Sequence, residues 1–514
     1  MVDFAGDAGF VQLVRGRWVF ADDGVISDGG VVVRGDVIAD IGSWDEVRDR
    51  YPDAPVLGSS HHALLPGLVN AHHHSNGVPN SLLEIEDDLL ELWLFSRNAK
   101  RSQTSGLRTL LSAGYLLKSG VTSVVDVASI GGSVTESEQE MAACLGAYEQ
   151  AGIRVAFAPG ARYDSFLVHG KGQDQAFLKT LPEDLRRQVK ARVSLVQGLS
   201  PEAYLDVVSA AVKKYREHPE IDVWFGPPGP QWVGDELLVK IVERANALGT
   251  GVQTHVLESF YEKEMGPRFY GKSVVAHLYE LGVLGPRFSM AHGVWVSETD
   301  IALLAETGAS ISHNPSSNLR LRAGVAPLAA LLKAGVTMGL GMDGTTINDD
   351  EDMFAEMRLA ARLQRSPQVS EAVPTFGEIF GVATKGGAKL LGKADSMGQL
   401  TVGYKADMVL VDCECMVWPW VAPEVDPMSL VMMRSRASYV DTVLVNGKVV
   451  LENGQPTGFD FVEVGRELAK ALQGQADDVA YREMARRVRS HMAEWYADWP
   501  VPEMTPFSTF NARG

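Results

Sequence analysis

The chain has 514 residues, of which 46% are hydrophobic and 22% charged, enough to bury a large core and more than one ordinary domain requires. Asp and Glu outnumber Lys and Arg by 65 to 47, and the net charge of −18 argues against nucleic acid and anionic membranes as partners. The first residues lack a signal-peptide layout, no apolar run approaches the ~18 residues a membrane span needs, and three cysteines make no disulfide framework. A cytoplasmic protein is expected.

In chain order, residues 1–63 read as short strands and turns, from Val11–Val19 through Asp22-Asp23-Gly24 to Val37-Ile38-Ala39-Asp40-Ile41. Residues 396–460 have the same texture, with a hairpin expected around Asn446-Gly447. Together they predict one small β-sandwich domain built from both chain ends. Between them, residues 64–395 alternate short apolar runs with amphipathic segments. Eight strands are expected, at Leu64–Asn70, Val121–Val127, Arg154–Pro159, Asp222–Gly226, Gly251–His255, Arg287–Ala291, Ala309–Ser312 and Val336–Gly341. Eight strand–helix units predict an α/β fold of the TIM (β/α)8 barrel type. Residues 461–514 read as a helical, mixed-charge C-terminal tail without chemistry.

Catalytic residues of such barrels sit at the C-terminal ends of the strands. Here those ends are occupied in a patterned way. The first expected strand runs into His72-His73-His74, and residues two apart on a strand share a face, so His72 and His74 can converge on one metal ion. The fifth ends at His255 with Glu258 three residues on, the sixth at His292, the seventh at His313, and the eighth at Asp343. A single histidine at a strand end is more often structural than a ligand. This many, in a chain with 12 histidines, is a joint signal. The Cys413-Glu-Cys415 pair is not read as a metal site. The Gly-Gly pairs at 131 and 386 lack the surroundings of a phosphate loop, which argues against a nucleotide cofactor.

The motifs Pro66-Gly-Leu-Val-Asn-Ala-His72-His-His74, His255-Val-Leu-Glu258, Ser312-His313-Asn314-Pro315 and Gly341-Met-Asp343-Gly344 resemble the amidohydrolase superfamily. The similar branch is that of cytosine and guanine deaminases and triazine hydrolases of the atrazine type, over roughly residues 10 to 460. The resemblance implies one divalent metal per subunit held by His72, His74, His255 and Asp343, zinc in the first place and ferrous iron as the alternative. The fourth expected strand, Asp222 to Pro230, ends without the Lys or Glu that bridges two metals in other branches. It further implies Asp343 as the base for water, His292 as a partner of the attacking oxygen, and Glu258 as the proton shuttle. Weaker pocket candidates are Trp93, Gln231, Trp232, His313 and Asn318.

The expected activity is a metal-dependent aminohydrolase of a small purine, pyrimidine, pterin or triazine-like ring, in a homodimer. A dehalogenating, dealkylaminating or cyclic-amide hydrolase is the alternative, and a non-catalytic scaffold a more distant one. The acidic segment Leu82–Leu94 reads as a solvated helix face packed on the barrel. If it faced the pocket, it would favour neutral or cationic substrates.

Overall fold

Two eight-stranded sheets organise the computed structural model, which describes residues 10–99, 101–194, 198–344, 349–369, 373–476, 478–505 and 507. The first sheet uses β1 (Val11–Ala21), β2 (Gly24–Arg34), β3 (Val37–Ser43) and β4 (Val56–Pro66) from the N-terminal end. The second is all parallel: β5 (Leu68–His73), β6 (Val121–Ser129), β7 (Arg154–Gly160), β8 (Ile221–Val223), β9 (Val252–Val256), β10 (Phe288–His292), β11 (Ser310–His313) and β12 (Thr337–Leu340). Returning to the first sheet come β13 (Met408–Asp412), β14 (Val440–Val445), β15 (Lys448–Glu452) and β16 (Gln455–Pro456), giving the order 16-15-14-13-4-1-2-3.

The parallel sheet runs 8-7-6-5-12-11-10-9 and closes through a bridge from Phe225 to Val252, which completes the expected barrel. Helices follow the strands, each start marked by a side-chain cap where the sequence supplies one. Ser133, Ser297 and Thr375 each take part in a reciprocal capping box. Strands β5 to β7 are buried on both faces apart from Ser129, as crossover helices on the outside and side chains on the inside require.

The strand expected over Leu64–Asn70 is divided between the two sheets. Leu64 and Leu65 pair with Leu410 and Val409 in the mixed sheet, and the barrel strand begins only at Leu68. Pro66 lacks an amide hydrogen, and Gly67 is pressed so close to β6 that a Cβ would lie 2.1 Å from Thr122 Oγ1. The dipeptide read as the interior of one strand is the hinge between two.

Arg154, at the start of β7, ties the sheets together. Its buried guanidinium meets the buried Asp407 carboxylate at 3.1 Å and Asn446 Oδ1 at 2.8 Å. The mixed sheet curls, so that a Cβ on Gly447 would lie 2.2 Å from the Gly35 carbonyl oxygen. Two helices end the chain. Phe461–Gln473 packs on the helix Ser105–Lys118, where Gly114 makes room for Phe461. Val479–Ala497 crosses the loops at the C-terminal mouth of the barrel, with Tyr481 stacked on Phe95 at 5.6 Å. No described helix is long and apolar enough to cross a membrane.

Candidate metal centre and active site

Four imidazoles and two carboxylates meet at the C-terminal ends of the barrel strands. β5 delivers His72, with His74 just beyond its end. β9 delivers His255, β10 His292, and the turn after β12 Asp343. His74 Nε2 lies 3.2 Å from His255 Nε2 and 3.3 Å from Asp343 Oδ1, and His72 Nε2 lies 3.7 Å from the same oxygen. His292 Nε2 is 3.9 Å from Asp343 Oδ2 and 3.6 Å from Glu258 Oε2. Ligand atoms of His72, His74 and Asp343, and of His72, His255 and His292, fall within 4.8 Å of one another. His73 points away, its Nε2 3.6 Å from Glu351 Oε2.

The other nitrogen of each ring decides what the cluster can hold. Nδ1 of His74 faces the Val127 carbonyl oxygen at 2.6 Å, and Nδ1 of His255 faces that of Pro228 at 2.7 Å. Nδ1 of His72 faces Gln253 Oε1 at 2.8 Å, and that amide is fixed in turn because its nitrogen donates to Ala71 O and Ser289 Oγ. The shorter contact of His292 Nδ1, 2.8 Å, is with Asn318 Oδ1. Acceptors opposite Nδ1 place the proton there and leave Nε2 as a lone pair. Nε2 of His72 and of His292 is buried with no hydrogen-bond partner, a cost that a metal ion removes. The donor set fits a divalent cation.

Electrostatics agree. Burial, with smaller effects of neighbouring imidazoles, pushes the His72 ring down to about 4 and the His74 ring to about 3, and holds His255 well below its ordinary range. All three are neutral at pH 7, the form in which an imidazole can bind a metal. Burial would raise Asp343, but His74, His72, His292 and the Ser317 hydroxyl, which donates to Oδ2 at 2.6 Å, hold it ionised far below the usual carboxylate range. Glu258 is the opposite case. Burial, then the charges of Asp343 and Glu91, push its carboxyl well above 4.5, with Arg97 opposing.

Close packing explains the glycines beside Asp343. A Cβ at Gly341 would sit 2.3 Å from Asn314 Oδ1, and one at Gly344 2.2 Å from Asn76 Nδ2. His292 (φ 78°) and Asp343 (φ 55°) hold left-handed backbone conformations, which cost about 1–3 kcal/mol each and are typical of functional sites.

The weaker pocket candidates divide. Trp232 lies beside the centre, its ring 6.5 Å from that of His255, under the Arg162 guanidinium at 4.8 Å. Neighbouring Gln231 is buried with Oε1 unpartnered. His313 is buried with both ring nitrogens unpartnered, and burial with the charge of His292 pushes it down to about 3. Asn318 orients His292. Trp93 packs with Ile85, Leu90 and Leu321, beneath Arg97.

Two readings of the sequence need correction. The acidic segment is a solvated face only in part: Glu84, Glu86 and Asp87 are exposed, but Glu91 is 4% exposed and accepts from Ser259 Oγ and from His169 Nε2 at 3.0 Å. Asp87 pairs with Arg320, Asp88 with Arg489 and Glu84 with Arg482. His169 belongs to this buried network. The C-terminal tail joins it too, since Tyr496 OH accepts from His169 N at 2.9 Å. A cavity next to Trp232 is lined by Glu91, Arg162, His169, Met492 and Tyr496. Only Gln253 left a local signal, two residues before His255 and so on its face. Glu91 and His169 are 78 residues apart.

Such a barrel, with neutral imidazoles and an ionised carboxylate converging at the strand ends, defines a class of hydrolases that work with a divalent metal. The chain belongs to the amidohydrolase family, whose model matches residues 63–450, and it is a hydrolase of carbon–nitrogen bonds other than peptide bonds. Residues 29–54 match a bacterial imidazolonepropionase-like composite domain. A 5-methylthioadenosine/S-adenosylhomocysteine deaminase of Desulfitobacterium hafniense is 29% identical over 456 residues, covering 87% of this chain and 94% of its own. A 5'-deoxyadenosine deaminase of Methanosarcina barkeri is 30% identical over 458 residues, 88% and 94% of the two chains. Among solved structures, a zinc-bound adenosine deaminase of Xanthomonas campestris superposes with a TM-score of 0.75 at 25% identity, covering 90% of this chain and 99% of its own. A zinc-bound atrazine chlorohydrolase of Arthrobacter aurescens, at 22% identity and TM-score 0.74 over 90% and 99% of the chains, shares the fold.

Proposed function

We propose that the protein is a zinc-dependent aminohydrolase that releases ammonia from a small aromatic nitrogen heterocycle, a purine, pyrimidine, pterin or triazine-like ring. His72, His74, His255 and Asp343 hold the metal, and His292 stands next to them. A divalent metal in this position binds water and lowers its pKa towards about 7. One observation carries the reading: two buried carboxyls, Glu258 and Asp343, stand 3.6 and 3.9 Å from the same His292 Nε2, in surroundings that push their pKa values in opposite directions. Environments that push two titratable groups apart assign the base and the acid.

Asp343 is ionised and takes the proton of the attacking water, with Ser317 steadying its other oxygen. His292 presents its Nε2 lone pair towards the attacking oxygen and is kept in register by Asn318. Glu258 enters protonated and donates to the ring nitrogen beside the reacting carbon; the hydroxyl proton of the adduct then restores Glu258, and the proton taken by Asp343 passes to the departing amine. The carbon–nitrogen bond to the amino group breaks, a carbon–oxygen bond replaces it, and the products are the lactam and ammonia. Trp93, Gln231, Trp232 and His313 line the space for the ring. The deaminase relatives favour an amine as leaving group over the chloride or alkylamine that the same residues could expel. The protein is further proposed to work in the cytoplasm, as a homodimer.

The test is ammonia release from a panel of aminated purines, pyrimidines, pterins and triazines, beside chloride and alkylamine release from matched analogues. Ammonia from at least one class is expected. Chloride release without ammonia from any compound would reassign the reaction.

A further inference from the structure

A cation in the roof of the site makes no hydrogen bond or ion pair with any described residue. The helix Leu90–Ser96 is docked there by Glu91, whose carboxylate accepts from Ser259, the residue after Glu258, and from His169. Arg97 follows at the end of that helix, four residues past Trp93 and therefore on its face. Its guanidinium carbon lies 4.8 Å from the centre of the Trp93 ring, and Trp93 is wedged among Ile85, Leu90 and Leu321. The stack fixes where the guanidinium can go. Asp343, Glu258 and His74 lie within its electrostatic reach. Yet it makes no hydrogen bond or ion pair with any described residue. The acidic side chains that precede it are engaged elsewhere, Asp87 with Arg320 and Asp88 with Arg489.

A half-buried guanidinium stays charged and is costly until something accepts its protons. Its planar fork matches two acceptors that share a negative charge. We propose that Arg97 anchors the substrate, and that the substrate is an aminated heterocycle with an anionic two-acceptor edge, either a carboxylate substituent or a deprotonated lactam. The proposal rests on the aminohydrolase reading above for the amino group, and it reverses the preference for neutral or cationic substrates expected from the acidic segment.

The test uses zinc-loaded protein with 2-aminopteridine, pterin and pterin-6-carboxylate. These share the amino group and add first the lactam edge and then the carboxylate. Ammonia release gives kcat and KM, and calorimetry on a Glu258→Gln background gives Kd, each repeated with Arg97→Lys, Arg97→Gln and Arg97→Met. Wild type is expected to bind one or both of the acidic compounds more tightly than 2-aminopteridine. Arg97→Gln and Arg97→Met weaken that binding roughly 10- to 100-fold, the loss expected for hydrogen bonds to a charged group. Arg97→Lys falls between, having the charge without the fork. A gain that appears with pterin identifies the lactam edge, and one confined to pterin-6-carboxylate identifies the substituent.

Equal binding of all three compounds by wild type, or binding of none, overturns the anchor. So does a preference that survives in Arg97→Met, which keeps the packing on Trp93 and loses the donors. Arg97-dependent binding without ammonia from any compound would instead contradict the aminohydrolase reading and leave the anchor standing.

Discussion

The floor and the roof of the pocket are held together differently. In the floor, His72, His74, His255, His292 and Asp343 come from parallel strands of one barrel or the turns directly after them, and most Nδ1 partners are backbone carbonyls or side chains of the same sheet. In the roof, Glu91, His169, Tyr496 and Arg489 come from three segments spread over some 400 positions, and they meet through side chains. The floor lies within the residues that match the family, whereas the final helix lies beyond residue 450. A common chemistry can thus be kept in the floor while the roof sets which molecule reaches it.

Substitutions should separate the two regions, most strongly in the floor. Asp343→Asn is expected to abolish turnover while leaving the melting temperature close to wild type, because the amide keeps the shape and loses the base. Glu258→Gln should lower kcat about 10²- to 10⁴-fold, with metal content unchanged by elemental analysis. In the roof, Tyr496→Ala removes a side chain that is 3% exposed and touches His169 and Tyr261. It should cost about 3–5 kcal/mol of stability in denaturant titrations and raise KM more than it lowers kcat. An equal fall in kcat would place Tyr496 with the floor.

A pH series on Glu262 gives a smaller effect of defined sign. Glu262 is buried and accepts from the amide of Glu258 at 2.8 Å, and burial pushes its carboxyl up to about 7, from 4.5 in the unfolded chain. The folded state therefore binds the proton more tightly, and the stability this group contributes is present below pH 4.5 and lost as pH rises to about 7. Glu262→Gln should melt closer to wild type at pH 4.5 and gain on it by pH 8. The smallest change is expected for Arg489→Ala, which breaks a half-exposed pair with Asp88. It should cost under about 1 kcal/mol.

The same contrast explains what could be read in the sequence. Alternation along a strand is local, so His72 and His74 could be placed on one site from spacing alone; His255 joined them through its place at a strand end and the family resemblance, and the eight-fold repeat of strand and helix pointed to the barrel. Pro66-Gly67 misled because a break between two sheets and a turn within one strand use the same residues. Glu91 looked like one more acid in a solvated helix, since its burial depends on Ser259 and His169 far along the chain. Arg97 carried no signal at all. Its importance comes from the absence of a hydrogen-bond or ion-pair partner among the described residues, which only the folded arrangement reveals.

The central claim is that the floor holds one hydrolytic metal that drives loss of ammonia. The direct test is to strip the protein with a chelator, add back zinc in steps, and follow bound zinc and ammonia release together on the best substrate of the panel. Activity that rises in proportion to zinc and levels off at about one ion per chain, with His255→Ala neither binding nor turning over, is the predicted result. Full ammonia release by metal-free protein, or by His255→Ala, would contradict it.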